Sequence, residues 1–496
     1  MRAPPKPDGR ILILATLSAV AVAYAVVRAI RIPIVHDEAL TWVFFVTGPL
    51  AGTLDPRIPL AENNHYLNSI FSAASWRAFG GGDLALRAPN LLAYPLFLAA
   101  TASLALRMRS AVLSVAAFLV LNAHAFAVEF FSLSRGYGLG LAFLACGIAL
   151  LVEALERPRR GTVAASLGVL CLSLAAAAHL SFLMPLAACL VAGLGRETWL
   201  LARSRSVSAD RPPERSLVLP VAVGVPSLLV FVPYSWALSK EGHFFMGGVR
   251  GLWSDTVVSL LAVLRDRLPE DAPRVPLLEA LVAAALLFLA AAVLLRPRLL
   301  APVALVPTAL LALTAAGHEL AGRILGARYP VERAALPLQF LFLAAVTGVG
   351  AEWTARQRAG WRGVRAAMIV LAFCLSAAFL SAAGTTRTLT WRYDADNLRM
   401  LDDLDRIRRQ RRMDRPVRLG ITWLMEPSIN YYRVRRRLGW LLPVDRYGLE
   451  AHDADFFYYA PGDEESARRL GLSVLAEYAG SGNRLAERAA PPIRRP

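Results

Sequence analysis

The sequence predicts a mainly α-helical, polytopic membrane protein that ends in a small α/β domain. Three observations predict it. Of the 496 residues, 56% are hydrophobic and 18% charged, whereas a soluble domain carries roughly a quarter charged residues. Apolar runs of about 20 residues, the length that crosses a bilayer, recur from Ile11 to about Gly384. Beyond Thr385 these runs stop, and shorter helical and strand patterns follow. The expected organisation is therefore a membrane domain over residues 1–384 and a small domain over residues 385–496.

The spans are expected at 11–31, 86–106, 110–128, 137–155, 162–178, 180–195, 216–236, 277–295, 299–317, 334–351 and 366–384, about eleven in all. Arg2, Lys6 and Arg10 precede the first run in the manner of a signal peptide. That run is long and no clear stop follows it, so it reads as an uncleaved helix. With the N-terminus inside, Arg107 and Arg109, Arg157, Arg159 and Arg160, the arginines of 196–215, Arg296 and Arg298, and those of 356–365 all fall on cytoplasmic loops. Every such loop is rich in arginine, as the positive-inside rule requires. An odd number of spans then leaves the C-terminal segment outside.

Three outer segments are too polar to span. In residues 32–85, Glu38–Val46 and Tyr66–Phe79 read as amphipathic helices lying at the interface. In 237–276, Trp253 with Trp236, His243, Phe244 and Phe245 suggests headgroup contact. In the third, residues 396–412 have helical periodicity, Pro427 and Ser428 open a second helix through Arg437, and Val417–Trp423, Asp455–Tyr459 and Leu472–Tyr478 read as strands.

Several function classes are excluded. The formal charge of +17 sits in short clusters between apolar runs, with no nucleic-acid motif. Cys146, Cys171, Cys189 and Cys374 all lie within expected spans, which rules out a disulfide framework and a cysteine zinc site. Gly136, Gly138 and Gly140 follow no strand, so they form no dinucleotide loop and suit close helix packing instead. No nucleotide or redox cofactor is expected.

The residues that could do chemistry cluster on the outer side. Asp37 and Glu38 follow the first span directly. One could act as a general base while its neighbour holds a divalent metal; equally, Asp37 could simply cap a helix. Glu62, Asn63, Asn64, His65, Tyr66 and Asn68 form a dense ligand set at the start of the second interfacial helix, suited to a metal, a phosphate or a polar cap. Glu129 and Arg135 could pair with each other; alternatively Glu129 faces the cavity of Asp37 and Arg135 meets a phosphate. His179 sits in a very short turn. Arg328, Tyr329 and Arg333 suit a lipid phosphate at headgroup depth, or arginines snorkelling to the surface. The middles of the spans carry almost no ionisable residues, which favours one external cavity over a path through the membrane.

These patches resemble the GT-C superfamily of membrane glycosyltransferases, in the branch of the protein O-mannosyltransferases and lipid A aminoarabinose transferases. The resemblance lies in Asp37-Glu38 after the first span, and in Asn64-His65-Tyr66-Leu67-Asn68 followed by Phe79-Gly80 and Leu86-Arg87-Ala88-Pro89-Asn90. It continues in Ser134-Arg135-Gly136-Tyr137-Gly138-Leu139 and in Arg328-Tyr329-Pro330-Val331-Glu332-Arg333. The Pro-Pro often found before the family's Tyr-Leu is Asn64-His65 here. The resemblance implies transfer of a sugar from a polyprenyl phosphate to an envelope acceptor (lipid, glycan or protein) outside the cytoplasm, in a bacterial inner membrane. It implies Asp37, with Glu38 beside it, as catalytic carboxylate. It further implies Arg135, Arg328 and Arg333 as contacts of the lipid phosphate, and Asn64, His65, Tyr66, Tyr137, His179 and Tyr329 are the remaining candidate substrate contacts. Asp37, Glu62 and Glu129 are the candidate ligands if a divalent metal serves as cofactor. The rival reading is a polytopic transporter or lipid flippase, which would show repeats and midplane charges; a non-catalytic scaffold is the third.

Overall fold

The computed structural model describes residues 8–48, 61–204, 218–242, 247–295, 300–355, 360–451 and 453–489. His243, Phe244 and Phe245, and most of the basic loops at 205–215, 296–298 and 356–359, lie outside the described residues.

In chain order the helices are α1 Gly9–Arg31, α2 His36–Thr41, α3 Tyr66–Ala78, α4 Asp83–Ala105, α5 Ala111–Asn122, α6 Ala125–Glu129, α7 Gly136–Glu156, α8 Gly161–Ala178, α9 Leu183–Ser204 and α10 Val218–Lys240. They continue with α11 Val258–Val263, α12 Pro276–Leu295, α13 Pro302–Leu325, α14 Leu336–Ala355, α15 Trp361–Ala382, α16 Asn397–Gln410, α17 Glu426–Arg435 and α18 Glu464–Arg469. Among the described residues nine helices are long and apolar enough to cross a membrane. The protein is thus a multi-pass membrane protein, as its composition requires.

Two expected spans take a different form. The segment 110–128 divides into α5 of 12 residues and the short α6, parted at Ala123 and His124. Twelve residues rise only about 18 Å, short of the roughly 30 Å hydrocarbon core. The segment 180–195 is a shorter apolar stretch that opens with a 3-10 turn, Leu180–Phe182. All four cysteines are free and lie in helices, one each in α7, α8, α9 and α15.

The chain forms two compact units. The first comprises residues 1–26, 51–75 and 87–383; the second comprises 27–50, 76–86 and 384–496. In the first unit α7 packs on α8, α13 on α14, α8 on α10, and α5 on α15. Gly147 and Gly168 let α7 and α8 approach: a Cβ on either would lie 3.1–3.2 Å from the other's carbonyl oxygen. Small residues at a helix crossing serve this purpose where lipid supplies no hydrophobic drive between helices. Tyr94, Phe97 and Phe131 stack in the buried core between α4 and the turn before α7.

The second unit holds a four-stranded sheet, β1 Leu419–Ile421, β2 Phe456–Tyr459, β3 Leu472–Glu477 and β4 Arg484–Arg488, in the order β1-β2-β4-β3. β1 and β2 run parallel; β4 is antiparallel to both its neighbours. All four side chains of β2 are buried, the pattern of a strand covered on both faces. Pro427 stands in the first turn of α17, where its missing N–H is no loss.

Candidate active site

In the second unit, α1 ends at Arg31 and hands the chain to an acidic turn. The buried Arg28 guanidinium donates to the carbonyls of Gly384 and Arg387. Residues 32–35 are buried, and α2 begins at His36. The cap of that helix is Val35, in extended conformation, rather than Asp37. Glu38 is fully buried, and its Oε2 accepts the Val35 amide at 3.2 Å, closing one half of a capping box. Asp37 is half-buried in the first turn. The adjacent carboxylates therefore sit in different environments, with Glu38 inside the fold and Asp37 nearer the surface.

Three further bonds fix the turn. The Ile34 amide donates to the Tyr432 hydroxyl at 2.6 Å, and the His36 amide donates to Asp394 Oδ2 at 2.7 Å. His36 Nδ1 donates to the Leu424 carbonyl at 2.5 Å, while its ring meets Tyr393 and Trp423 edge-on. The Asp394 Oδ1 accepts from Asn397 Nδ2 and Ser428 Oγ, at 2.8 and 2.6 Å. Burial pushes the Asp394 carboxyl up to about 7, against hydrogen bonds that favour its charged form.

In the first unit, Asn64, His65 and Tyr66 lead into α3 and are all buried. His65, Tyr137 and His179 form one ring cluster, with centroid separations of 5.4 Å for His65–Tyr137, 4.5 Å for His65–His179 and 4.0 Å for Tyr137–His179. Burial and the nearby Arg135 and Arg333 charges hold both imidazoles well below the usual histidine range. The His179 Nδ1 accepts the Ser181 amide at 3.0 Å, which fixes the neutral ring's proton on Nε2. Arg135 donates to Asn63 Oδ1 at 2.7 Å. Tyr66 turns to α10, its ring 5.0 Å from Tyr234 and 5.9 Å from Phe231.

The glycines around this cluster have no room for a side chain. A Cβ on Gly136 would fall 2.0 Å from the Ala178 carbonyl oxygen and 2.9 Å from His65 Cβ, and one on Gly138 would fall 2.5 Å from the Phe130 carbonyl oxygen. Beneath them runs a buried polar chain. Asn90 accepts the Leu139 amide at 3.0 Å and donates to Asn68 Oδ1 at 2.6 Å; Asn68 in turn donates to the Ser134 carbonyl at 3.2 Å.

A separate arginine group lines a 610 Å³ cavity bounded by Arg250, Glu319, Arg323, Arg328 and Tyr329. Gly248 and Tyr329 exchange backbone hydrogen bonds, both 2.9 Å, which ties the 247–251 turn to the Arg328 segment. Arg250 pairs with Asp255 and Arg323 with Glu319, each at 3.0 Å. Arg328 is exposed and has no carboxylate partner among the described residues. The cavity thus offers a net positive, solvent-reached surface at one end of α13.

The structure therefore groups His65, Tyr137 and His179 with the charges of Arg135 and Arg333, and sets Arg328 and Tyr329 on the cavity. Asn64 accepts from Ser69 Oγ at 2.8 Å inside the polar layer. Glu129, the last residue of α6, is buried, and Glu62 lies half-buried in a 3-10 turn. Among the described residues no group of three or more His, Cys, Asp or Glu is placed to hold a metal ion.

Three residues have no site role in the sequence alone, although Asn90 falls in the motif Leu86-Arg87-Ala88-Pro89-Asn90. Arg250 lies in a glycine-flanked turn, a local signal for a functional loop. Asn90 is a lone amide within an apolar run, costly unless used. Asp394 has no local signal, since its partners come from distant segments.

No family model and no curated protein matches the chain. Solved structures do. The chain has the fold of ArnT from Cupriavidus metallidurans. In the crystal structure bound to undecaprenyl phosphate the match covers 98% of this chain and 99% of that one, with a TM-score of 0.50 at 14% identity. The apo crystal structure matches over 96% and 97%, with a TM-score of 0.52 at 13% identity. At these identities the likeness is one of fold.

Proposed function

We propose that this protein is a glycosyltransferase that moves one sugar from a polyprenyl phosphate to an acceptor of the cell envelope. The observation that carries the reading is the arginine-lined cavity at Arg328, in a chain with the fold of a protein whose structure holds undecaprenyl phosphate.

In this reading Arg328 and Arg250, with the Tyr329 hydroxyl, receive the donor phosphate, while Arg135 and Arg333 supply positive charge at the ring cluster. Arginines suit the task because a phosphate leaving group gains negative charge as the glycosidic bond breaks. His65, Tyr137 and His179 form a buried ring cluster in which His179 keeps an Nε2–H that a sugar hydroxyl could accept. Asp37 takes the proton of the acceptor hydroxyl. The acceptor oxygen forms a bond to the anomeric carbon, and the bond from that carbon to the phosphate oxygen breaks. The electron pair leaves with the phosphate, and the anomeric configuration inverts. Among the described residues no three His, Cys, Asp or Glu are grouped to hold a metal ion.

The setting is a bacterial inner membrane, with the N-terminus in the cytoplasm and the second unit's sheet outside, as the arginine pattern of the loops supports. The test is turnover of a panel of radiolabelled polyprenyl-phosphate sugars by the purified protein in nanodiscs, with Asp37→Asn alongside. Transfer or hydrolysis of one donor by the wild type alone supports the reading. No turnover of any donor by folded protein overturns it.

A further inference from the structure

The acidic turn is built as much by the C-terminal segment as by its own residues. The backbone N–H groups leading into α2 cannot be satisfied within so short a helix. Those of Ile34 and His36 go to Tyr432 and Asp394, and only that of Val35 goes to a local side chain, Glu38. Tyr432 is itself fixed, because its hydroxyl donates to Asp83 Oδ2 at 3.3 Å while Tyr431 donates to the other oxygen at 2.7 Å. Asp394 is fixed by Asn397 and Ser428. Trp42, six residues beyond His36, lies edge-on to Tyr431 with centroids 5.0 Å apart. A packing domain could hold the sheet together without turning one oxygen of a fully buried carboxylate to the backbone of this turn.

We infer that Asp394 and Tyr432 are positioning residues: they set the backbone of Ile34–His36 so that the Asp37 carboxylate stands in its working orientation. The inference rests on the reading of Asp37 as general base, but its structural half does not. Asp394 touches no reacting atom; it acts through the amide of the residue before Asp37. A role confined to folding would lower stability everywhere and leave the turn no more mobile than the rest.

The test is hydrogen–deuterium exchange of the full-length protein in nanodiscs, for wild type, Asp394→Ala, Tyr432→Phe and Ser428→Ala, followed by steady-state kinetics. The expected result for Asp394→Ala is at least tenfold faster exchange confined to residues 33–41. Its kcat falls at least tenfold, with KM for the donor unchanged within twofold. Tyr432→Phe removes the hydroxyl shared by Ile34 and Asp83, Ser428→Ala the one shared by Asp394 and Asn397, and both show the same pattern to a smaller degree. If Asp394→Ala does not fold, these two milder variants decide. Unchanged exchange at 33–41, a uniform rise across the second unit, or faster local exchange with unchanged kcat would each overturn the inference. The exchange measurement needs no turnover. A wild type inactive on every donor defeats the glycosyltransferase reading, whereas local exchange still reports whether Asp394 holds the turn.

Discussion

Tyr137 and His179 lie nearly face to face, their ring centroids 4.0 Å apart and their planes 31° from parallel. The contact joins the start of α7 to the end of α8, and His65 closes it from the side at 4.5 Å from His179. Both imidazoles are neutral for the same reasons, burial and the Arg135 and Arg333 charges.

That neutrality has a pH consequence. A histidine whose folded value is depressed takes up protons in the unfolded chain first, below its usual value near 6.5. Stability is then complete above that pH and falls on acidification, by about 1.4 kcal/mol per histidine per pH unit. Thermal unfolding in detergent should show a loss between pH 6.5 and 5.5 that shrinks in His65→Gln/His179→Gln. An unchanged slope in the double variant would contradict the assignment.

The two acidic residues should separate by assay. Asp37→Asn is expected to lower turnover by about 10²–10⁴-fold, the usual contribution of a general base, with an unchanged melting temperature. Glu38→Ala removes the acceptor of the buried Val35 amide and should cost roughly 1–3 kcal/mol of stability. Equal effects of both variants on melting would show that the carboxylates do not divide their roles this way.

On the cavity, Arg328→Ala should raise the donor KM about tenfold or more, since a charge-assisted hydrogen bond contributes roughly 1.5–3 kcal/mol. Arg250→Ala should do the same to a smaller extent, because Arg250 already shares its charge with Asp255. Arg107→Ala, whose guanidinium pairs with Glu156, is the control and should leave KM unchanged. Titration of donor KM in the three variants checks this.

Gly136→Ala should abolish folded yield. Its Cβ would stand 2.0 Å from the Ala178 carbonyl oxygen, and backbone cannot retreat as a flexible side chain can, so the overpacking cost of about 1–3 kcal/mol is a lower bound. Gly363→Ala, with nothing within 4 Å of its Cβ, is the matched control. Monodisperse yield on size-exclusion chromatography distinguishes them.

The membrane helices were legible because a span must satisfy its own backbone and show an apolar face to lipid, as α1, α12 and α15 do. The break at Asn122–His124 was not, since an apolar run looks alike whether or not its helix continues. In the sheet, β1, β2 and β3 announce themselves by apolar runs, whereas β4 reads Arg-Leu-Ala-Glu-Arg, with only Leu485 and Ala486 buried. The three glycines at 136–140 suit close packing by their spacing, and their contacts with Ala178, Phe130 and Phe182 give the reason. The chemistry of Asp37 suits a helix cap, but Val35 takes that position and Glu38 supplies the side chain. Asp394 stayed invisible because its role exists only once segments 358 residues apart have met.

That separation also sets a clock. Ribosomes add roughly 5–20 residues per second, so α1 enters the membrane and its acidic turn then waits roughly 20–70 s for the chain that carries Asp394. The Ile34–Tyr432 bond, across 398 residues, comes later still. A nascent or prematurely stopped chain would thus carry Asp37 without the scaffold that aims it. Completion of the polypeptide, rather than insertion of its first helices, would switch the protein on.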